Sequence, residues 1–194
     1  MRSSTFAIAA AQALYFLSPL LVASLLSAVV LRFDLFSRVR RPIDAGRTFH
    51  GRRVFGDGKT WRGVLVAVVG CVTTVALQKY VLRVPDWLLL VDYRGIDEFV
   101  FGTTMGVGAM AGELPNSFVK RRLGIERGAT ARGVLALPFY IWDQVDLVTT
   151  VWPAMLPWVR PSALVVAMSF AIAFALHPLV SLIGYLVGAR RSVR

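Results

Sequence analysis

Long apolar stretches separated by shorter polar ones dominate the pattern of this chain. Five of these stretches approach or exceed the roughly 20 residues that a helix needs to cross a bilayer. They lie near residues 6–31, 64–82, 98–114, 133–157 and 163–187. The pattern therefore predicts an all-α integral membrane protein with five transmembrane helices, which form a single membrane domain.

The composition supports this class of protein. Of the 194 residues, 56% are hydrophobic, and the mean hydropathy is +0.63, which is more apolar than a soluble domain of this length. The first stretch is too long for the apolar part of a signal peptide. Cys71 is the only cysteine and lies in an apolar run, so an internal disulfide is excluded and a buried apolar role is expected.

The basic residues are distributed unevenly between the two sides that five spans would create. The polar stretches 32–62 and 115–132 and the C-terminus carry 17 Lys and Arg residues, whereas the opposite side carries five. The positive-inside rule places the richer side in the cytoplasm, with the N-terminus outside and the C-terminus inside. Membrane orientation thus accounts for the net charge of +11 without a nucleic-acid partner.

The first basic loop contains a glycine-rich segment, GRRVFGDGKTWRG, that suits an anion. Its Gly-Lys-Thr triplet resembles the end of a Walker A loop, but Arg53 occupies the place of the required first glycine and no strand precedes it. Lys59 and Thr60 stand just before a predicted helix start near Trp61, and helix N-termini bind phosphate. We expect these two residues to contact phosphate; the alternative is a loop that rests on anionic lipid headgroups.

Two carboxylates in the fourth stretch are the sharpest chemical signal. Asp143 and Asp146 are spaced i, i+3 and share one face of a helix, where they repel each other unless a cation lies between them. Ionisable groups at membrane depth are costly and usually functional. Oxygen ligands favour Mg²⁺, and Lys120 and Arg121 in the preceding polar segment suit a polyphosphate. The alternative is an ion-paired contact that only locks two helices together.

The third stretch is rich in glycine and ends in a polar motif. It contains two GxxxG patterns, which predict close helix packing. They are Gly102 with Gly106 and Gly108 with Gly112. Glu113 follows, and Pro115 predicts a helix break near residue 114, which assigns the segment NSFVKRR to a loop.

The depth of the acidic pair predicts the shape of the site. If the fourth helix starts near Arg132, Asp143 lies about 16 Å along it, at about 1.5 Å per residue. This is halfway into a hydrocarbon core of about 30 Å. We therefore expect a water-filled cavity open to the cytoplasm, with a lateral opening for a lipid. His177, which precedes Pro178 in the fifth stretch, is expected to be a packed, hydrogen-bonded residue rather than a ligand.

These motifs resemble those of the CTP-dependent lipid cytidylyltransferases. Ser117 is followed after three residues by Arg121 and Arg122, and further on comes an Asp-x-x-Asp motif in which Gln144 stands where bacterial and eukaryotic members carry Arg. The chain is most similar to the shorter archaeal branch, the CDP-archaeol synthases, which share a loop like GRRVFGDGKTWRG, an ELPNSFxKRR segment and a downstream DQxD. The resemblance spans roughly residues 30–150.

The resemblance implies transfer of CMP from CTP to a lipid phosphate, with Mg²⁺ as cofactor and pyrophosphate as the second product. The archaeal branch implies 2,3-bis-O-geranylgeranyl-sn-glycerol 1-phosphate as the lipid, in a cell-membrane enzyme whose active site faces the cytoplasm. Its implied catalytic residues are Asp143, Asp146 and Lys120. Its implied CTP and phosphate ligands are Phe55, Lys59, Thr60, Asn116, Ser117, Lys120 and Arg121. Its implied metal ligands are Asp143, Asp146 and Glu113, the last either as a ligand or as the partner of a basic residue.

Three other functions fit part of the pattern. A phosphatidate cytidylyltransferase would act on ester lipids by the same chemistry. A small ion or anion transporter would also carry intramembrane carboxylates and glycine-rich helices, but the chain has no inverted repeat and its basic groups lie on one side. A CDP-alcohol phosphotransferase would require a longer Asp-rich helix motif, which is absent.

Overall fold

The computed structural model describes residues 2–126 and 128–188, which form an all-helical bundle with one small hairpin. Its five long helices are α1 (Arg2–Arg32), α2 (Trp61–Tyr80), α3 (Glu98–Arg122), α4 (Ala136–Met155) and α5 (Ala163–Leu186). The hairpin pairs β1 (Thr48–Phe49) with β2 (Arg52–Arg53). The predicted all-α fold with five helices is confirmed for this part of the chain. Four residues of the charge count lie outside it: Arg127, Arg190, Arg191 and Arg194.

Four of the five helices are long and apolar enough to cross a membrane, namely α1, α2, α4 and α5. Helix α3 is not apolar enough by the same measure, because glycines, threonines and Glu113 interrupt its apolar residues. It lies between α2 and α4 and packs most extensively against these two helices. A helix that is covered by protein on two sides presents little surface to lipid, so it tolerates this composition.

Glycines allow the central helix to touch its two neighbours, as the GxxxG patterns predict. Gly102 and Gly106 face α2; a Cβ on Gly102 would lie 2.6 Å from an α2 backbone atom. Gly108 and Gly112 face α4 instead, and a Cβ on Gly112 would overlap the carbonyl oxygen of Asp146. The two patterns therefore serve opposite faces of α3, and the second one brings the backbones together directly beside the acidic pair.

The apolar core lies in the half of the bundle away from the basic loops. Phe16 of α1 stacks on Trp152 of α4 with 4.7 Å between ring centroids, and its edge meets Phe101 of α3. Both Phe16 and Phe101 are almost fully buried. This aromatic cluster closes one half of the bundle and leaves the other half available for a polar site.

The predicted helix break at Pro115 is wrong, because α3 continues through the proline to Arg122. A proline inside a helix removes one backbone hydrogen bond and kinks the helix, but tertiary contacts on both sides can hold it. Here the side chains of Asn116 and Lys120, which follow the proline, bond to α4. The polar motif therefore sits on a rigid helix rather than on a loop.

The two basic loops meet at one end of the bundle, as the charge pattern predicts. The Arg52 guanidinium donates hydrogen bonds to the carbonyl oxygens of Arg121 (3.4 Å) and Arg122 (2.5 Å). At the opposite end, Gln12 near the start of α1 donates to the carbonyl of Trp87 in the α2–α3 connection. Both motif-bearing segments thus face the same side.

We expect Gly112→Ala to lower the stability of the purified protein, because the added methyl group must push α3 away from α4 at Asp146. Overpacking of this kind costs about 1–3 kcal/mol. The measurement is thermal unfolding in detergent. Gly95→Ala is the matched control, since a Cβ there meets nothing within 4 Å. Equal unfolding temperatures for the two variants would contradict this account of the α3–α4 contact.

Candidate active site

A polar cavity of about 320 Å³ opens at the basic end, between α3, α4 and the first loop. Most residues that the sequence analysis assigned to the site line it: Phe55, Lys59, Asn116, Ser117, Lys120, Arg121, Asp143 and Asp146. Glu113 lines a larger cavity that adjoins it. The expected cavity beside the acidic pair is therefore present, and its depth relative to a bilayer stays a prediction.

The acidic pair is held by two residues one helical turn apart on α3. Asn116 Nδ2 donates to Asp143 Oδ1 (2.6 Å) and to Asp146 Oδ2 (3.1 Å). Lys120 forms an ion pair with Asp143. The ion-paired contact that was the alternative interpretation is therefore present. However, the side chain of Asp143 is 39% exposed, so this contact borders a solvent-accessible cavity rather than a closed core.

The donor set at this cluster suits Mg²⁺ if a substrate completes the coordination. Asp143 and Asp146 supply carboxylate oxygens, and Asn116 Oδ1 beside them is buried without a hydrogen-bond partner among the described residues. Within those same residues, no group of three or more His, Cys, Asp and Glu side chains is arranged for a metal. Mg²⁺ commonly binds through one or two carboxylates, with waters and substrate phosphates as its other ligands. The oxygen donors present here fit that pattern.

Lys59 links the first loop to α3 through an ion pair with Glu113. Both side chains are partly exposed to the cavities, so the pair is accessible to a ligand. Of the two roles expected for Glu113, partnership with a basic residue is the one this arrangement contains. Thr60 lines neither cavity; its hydroxyl oxygen caps α2 by accepting the Gly63 N–H at 3.2 Å. The expected contact of Thr60 with phosphate has no support in this geometry.

Asp44 organises the first loop, and the sequence analysis missed it. One carboxylate oxygen accepts from the Gly46 N–H and from the Arg53 guanidinium, and the other accepts from the N–H groups of Phe55 and Gly56. Burial alone would raise the pKa of this carboxyl, but these donors outweigh burial and lower the pKa to about 2. An Asp two residues before a glycine, within a strongly basic loop, was the available signal.

The adjacent arginines at the end of α3 have different tasks. Arg122 donates to the carbonyl oxygens of Phe49, Arg52 and Arg53, so it fastens the hairpin to the helix end. Arg121 lines the polar cavity instead. The contacts of Arg122 thus fasten the hairpin, which the sequence did not predict, to the helix that also carries Lys120 and Arg121.

The larger adjoining cavity, of about 850 Å³, is lined by α3, α4 and the segment that connects them, with His177 of α5 at one side. It shares Lys59, Lys120, Asp143 and Asp146 with the polar cavity and adds apolar side chains from the start of α4. These are Leu137, Phe139 and Tyr140. Gln144 and His177 also line this cavity, although the sequence analysis assigned neither to the site. A polar chamber that leads into a partly apolar one suits an amphiphilic ligand.

Known proteins share this sequence and architecture. The family model of CarS-like CDP-archaeol synthases matches residues 7–193. CDP-archaeol synthase of Archaeoglobus fulgidus is 38% identical over 146 residues, which cover 74% of this chain and 79% of that protein. CDP-archaeol synthase of Halobacterium salinarum is 37% identical over 157 residues, which cover 77% and 81%. A solved structure of an intramembrane enzyme for archaeal membrane lipid biosynthesis matches with a TM-score of 0.58 and 26% identity, covering 83% of this chain and 92% of that one.

The first loop should open when Asp44 loses its charge. Because its pKa is lowered on folding, Asp44 stabilises the loop fully at pH values above about 3.9, the pKa of an unfolded Asp. This stabilisation is lost as the pH falls through about 2, the pKa in the folded loop. At neutral pH, Asp44→Asn removes the ion pair with Arg53 and weakens the N–H contacts, so trypsin should cleave the loop faster. Asp57→Asn is the control, since Asp57 pairs with the same arginine but is mostly exposed. Equal cleavage rates for the two variants would contradict the organising role of Asp44.

Proposed function

The chain belongs to the CDP-archaeol synthase family of CTP-dependent lipid cytidylyltransferases, and we propose that it transfers CMP from CTP to an unsaturated archaeal diether glycerol phosphate. The products are the CDP-activated diether lipid and pyrophosphate. The observation that carries the proposal is the pairing of two cavities around Asp143 and Asp146, one polar and lined by cations, the other partly apolar and lined mainly by α4. A triphosphate suits the first cavity, and a lipid phosphate suits the second.

In the proposed reaction, an oxygen of the lipid phosphate forms a bond to the α-phosphorus of CTP. The bond between that phosphorus and the oxygen bridging to the β-phosphate breaks, and pyrophosphate leaves with the electron pair. A phosphate monoester is already anionic near neutral pH, since its second pKa is about 6, so no strong general base is required. The task of the protein is to position two anions and to offset their repulsion.

The basic residues of the polar cavity supply that offset. Lys120 and Arg121 lie on a rigid helix, and Lys59 reaches the cavity from the first loop. Lysine is a compact point charge, and arginine binds phosphate through a planar fork, so the three together suit a polyphosphate. Glu113 and Asp143 hold Lys59 and Lys120 in place before substrate arrives.

Asp143 and Asp146 are the residues that would hold Mg²⁺. The ion, when bound, neutralises charge on the triphosphate. Asn116 holds both carboxylates in position through its amide, and Ser117 and Phe55 complete the wall of the cavity.

The ester-lipid alternative uses the same polar chemistry on a lipid that carries ester-linked acyl chains in place of ether-linked isoprenoid chains. The family relationship favours the archaeal diether over the ester lipid. The transporter alternative has no support from that relationship.

The test is release of pyrophosphate from CTP by purified protein with either a diether glycerol phosphate or a diacyl phosphatidate. We expect turnover with Mg²⁺ and a preference for the diether. Asp143→Asn and Asp146→Asn should each lower kcat/KM by at least about a hundredfold, the scale of losing a preorganised charge in such a site. Asp92→Asn, an exposed carboxylate at the opposite end, is the control. Turnover at the wild-type rate in either site variant would refute the metal assignment.

We also propose that the site faces the cytoplasm, because the basic loops lie at its end of the bundle. A cysteine in place of Asp86, exposed at the opposite end, should react with an impermeant thiol reagent in intact cells. A cysteine in place of Ser37, exposed in the first loop, should react only after permeabilisation. The native Cys71 is buried and gives little background. The reverse labelling pattern would invert the proposed orientation.

A further inference from the structure

A narrow apolar groove lies between α1, α4 and α5, next to the larger cavity of the site. Its volume is about 50 Å³, against about 850 Å³ for that cavity, so it is too narrow for a headgroup. Apolar side chains from all three helices form its walls, including Leu17, Leu20, Val148, Ile172 and Ala173. Its apolar lining suits a hydrocarbon chain rather than a polar group.

The groove adjoins the site, because Gln144 and His177 line both spaces. Helices α4 and α5 run in opposite directions, so the groove can be followed along each of them from these two residues. Gln144 to Val148 on α4, and His177 to Ala173 on α5, each advance about 6 Å away from the basic loops, at about 1.5 Å per residue. The groove therefore leads from the acidic pair deeper into the apolar part of the bundle.

The polar mouth of the groove contains a buried amide. Gln144 is only 3% exposed, and its Oε1 has no hydrogen-bond partner among the described residues. A buried amide with an unmade hydrogen bond costs free energy unless a ligand or water completes it. Rotation of the amide exchanges its oxygen and nitrogen, so the group can donate to an ether or phosphate oxygen. The imidazole of His177 adds a second polar group beside it.

We propose that this groove holds one hydrocarbon chain of the lipid phosphate, while Gln144 and His177 bind the glycerol backbone at its mouth. The proposal rests on the proposed function, in which the lipid phosphate is the nucleophile. A chain held in the groove places the phosphate at the level of Asp143, because Gln144 is its neighbour in sequence. The groove thus determines how deep in the bundle the lipid binds, and it favours lipids with long chains over lipids with short ones.

The test compares two lipid ligands of the full-length protein, a long-chain isoprenoid diether glycerol phosphate and a short-chain, water-soluble analogue. Equilibrium binding of each radiolabelled lipid is measured in detergent, with turnover in the presence of CTP as a second readout. Ala173→Phe fills the groove and should lower the long-to-short affinity ratio at least about tenfold, the scale on which an apolar pocket discriminates by size. Ala171→Phe makes the same change on the exposed, lipid-facing side of α5 and should leave the ratio unchanged.

The polar mouth is tested separately. Gln144→Leu and His177→Leu should weaken binding of both lipids to a similar extent, because both carry the same glycerol backbone, and should leave the Kd for CTP unchanged. A parallel loss of CTP binding would overturn the assignment of these residues to the lipid. If Ala173→Phe itself lowers CTP binding, Ala173→Leu with Ala171→Leu as control repeats the comparison with a smaller side chain.

The outcomes distinguish a failure of the proposed groove from a failure of the proposed reaction. An unchanged affinity ratio in the Ala173 variants overturns the groove, even where turnover with CTP supports the reaction. A wild-type protein that shows no turnover with any lipid phosphate refutes the proposed function. Selective long-chain binding that is lost in Ala173→Phe would still support the groove in that case.

Discussion

Charge buried at one end of a membrane bundle is the constraint on which the rest of this structure depends. Asp143, Asp146 and Glu113 lie where an unpaired carboxylate would be costly, and each has a polar partner from a different segment of the chain. The pairs join α4 to α3 and α3 to the first loop. Removing one partner of such a pair leaves the other charge without compensation at a site that is only partly open to water. The same contacts that stabilise this end of the bundle therefore place cations beside carboxylates, which is the arrangement that a polyphosphate with Mg²⁺ requires.

The apolar half of the molecule makes this arrangement possible. Aromatic packing of Phe16, Phe101 and Trp152 closes the bundle at the far end, while glycines allow the helix backbones to approach near the site. Gly112 connects helix packing to the site, because it lets α3 contact the backbone of Asp146, whose side chain belongs to the acidic pair. Helix packing and site chemistry are thus determined by the same contact. Further from the centre, α5 packs less extensively against α4 than α3 does, and its His177 lines the larger cavity.

The expected helix break at Pro115 failed because a local rule was outweighed by tertiary contacts. Pro115 is a local signal for a helix end, yet bonds from Asn116 and Lys120 to α4 hold the helix beyond it. Thr60 stands at a helix start, where a phosphate is favourable, and its hydroxyl oxygen caps the helix, so its contact with phosphate stays a prediction. Asp44 was overlooked because its importance comes from four donors that only the folded loop brings around it. His177 lies far from the other site residues in sequence, and only the antiparallel packing of α4 and α5 brings it to the cavity.

By itself, the sequence determined the features that depend on short-range spacing and on composition. Hydropathy located five helices, the i, i+3 spacing placed Asp143 and Asp146 on one face, and the glycine spacing predicted close packing, because each depends only on the geometry of a single helix. The charge pattern predicted that both basic loops share one end. Tertiary structure decided which partners meet: Lys59 with Glu113, Lys120 with Asp143, and Arg122 with the hairpin. Contacts between residues distant in the chain depend on how helices pack and where a loop folds, and no local pattern encodes those choices.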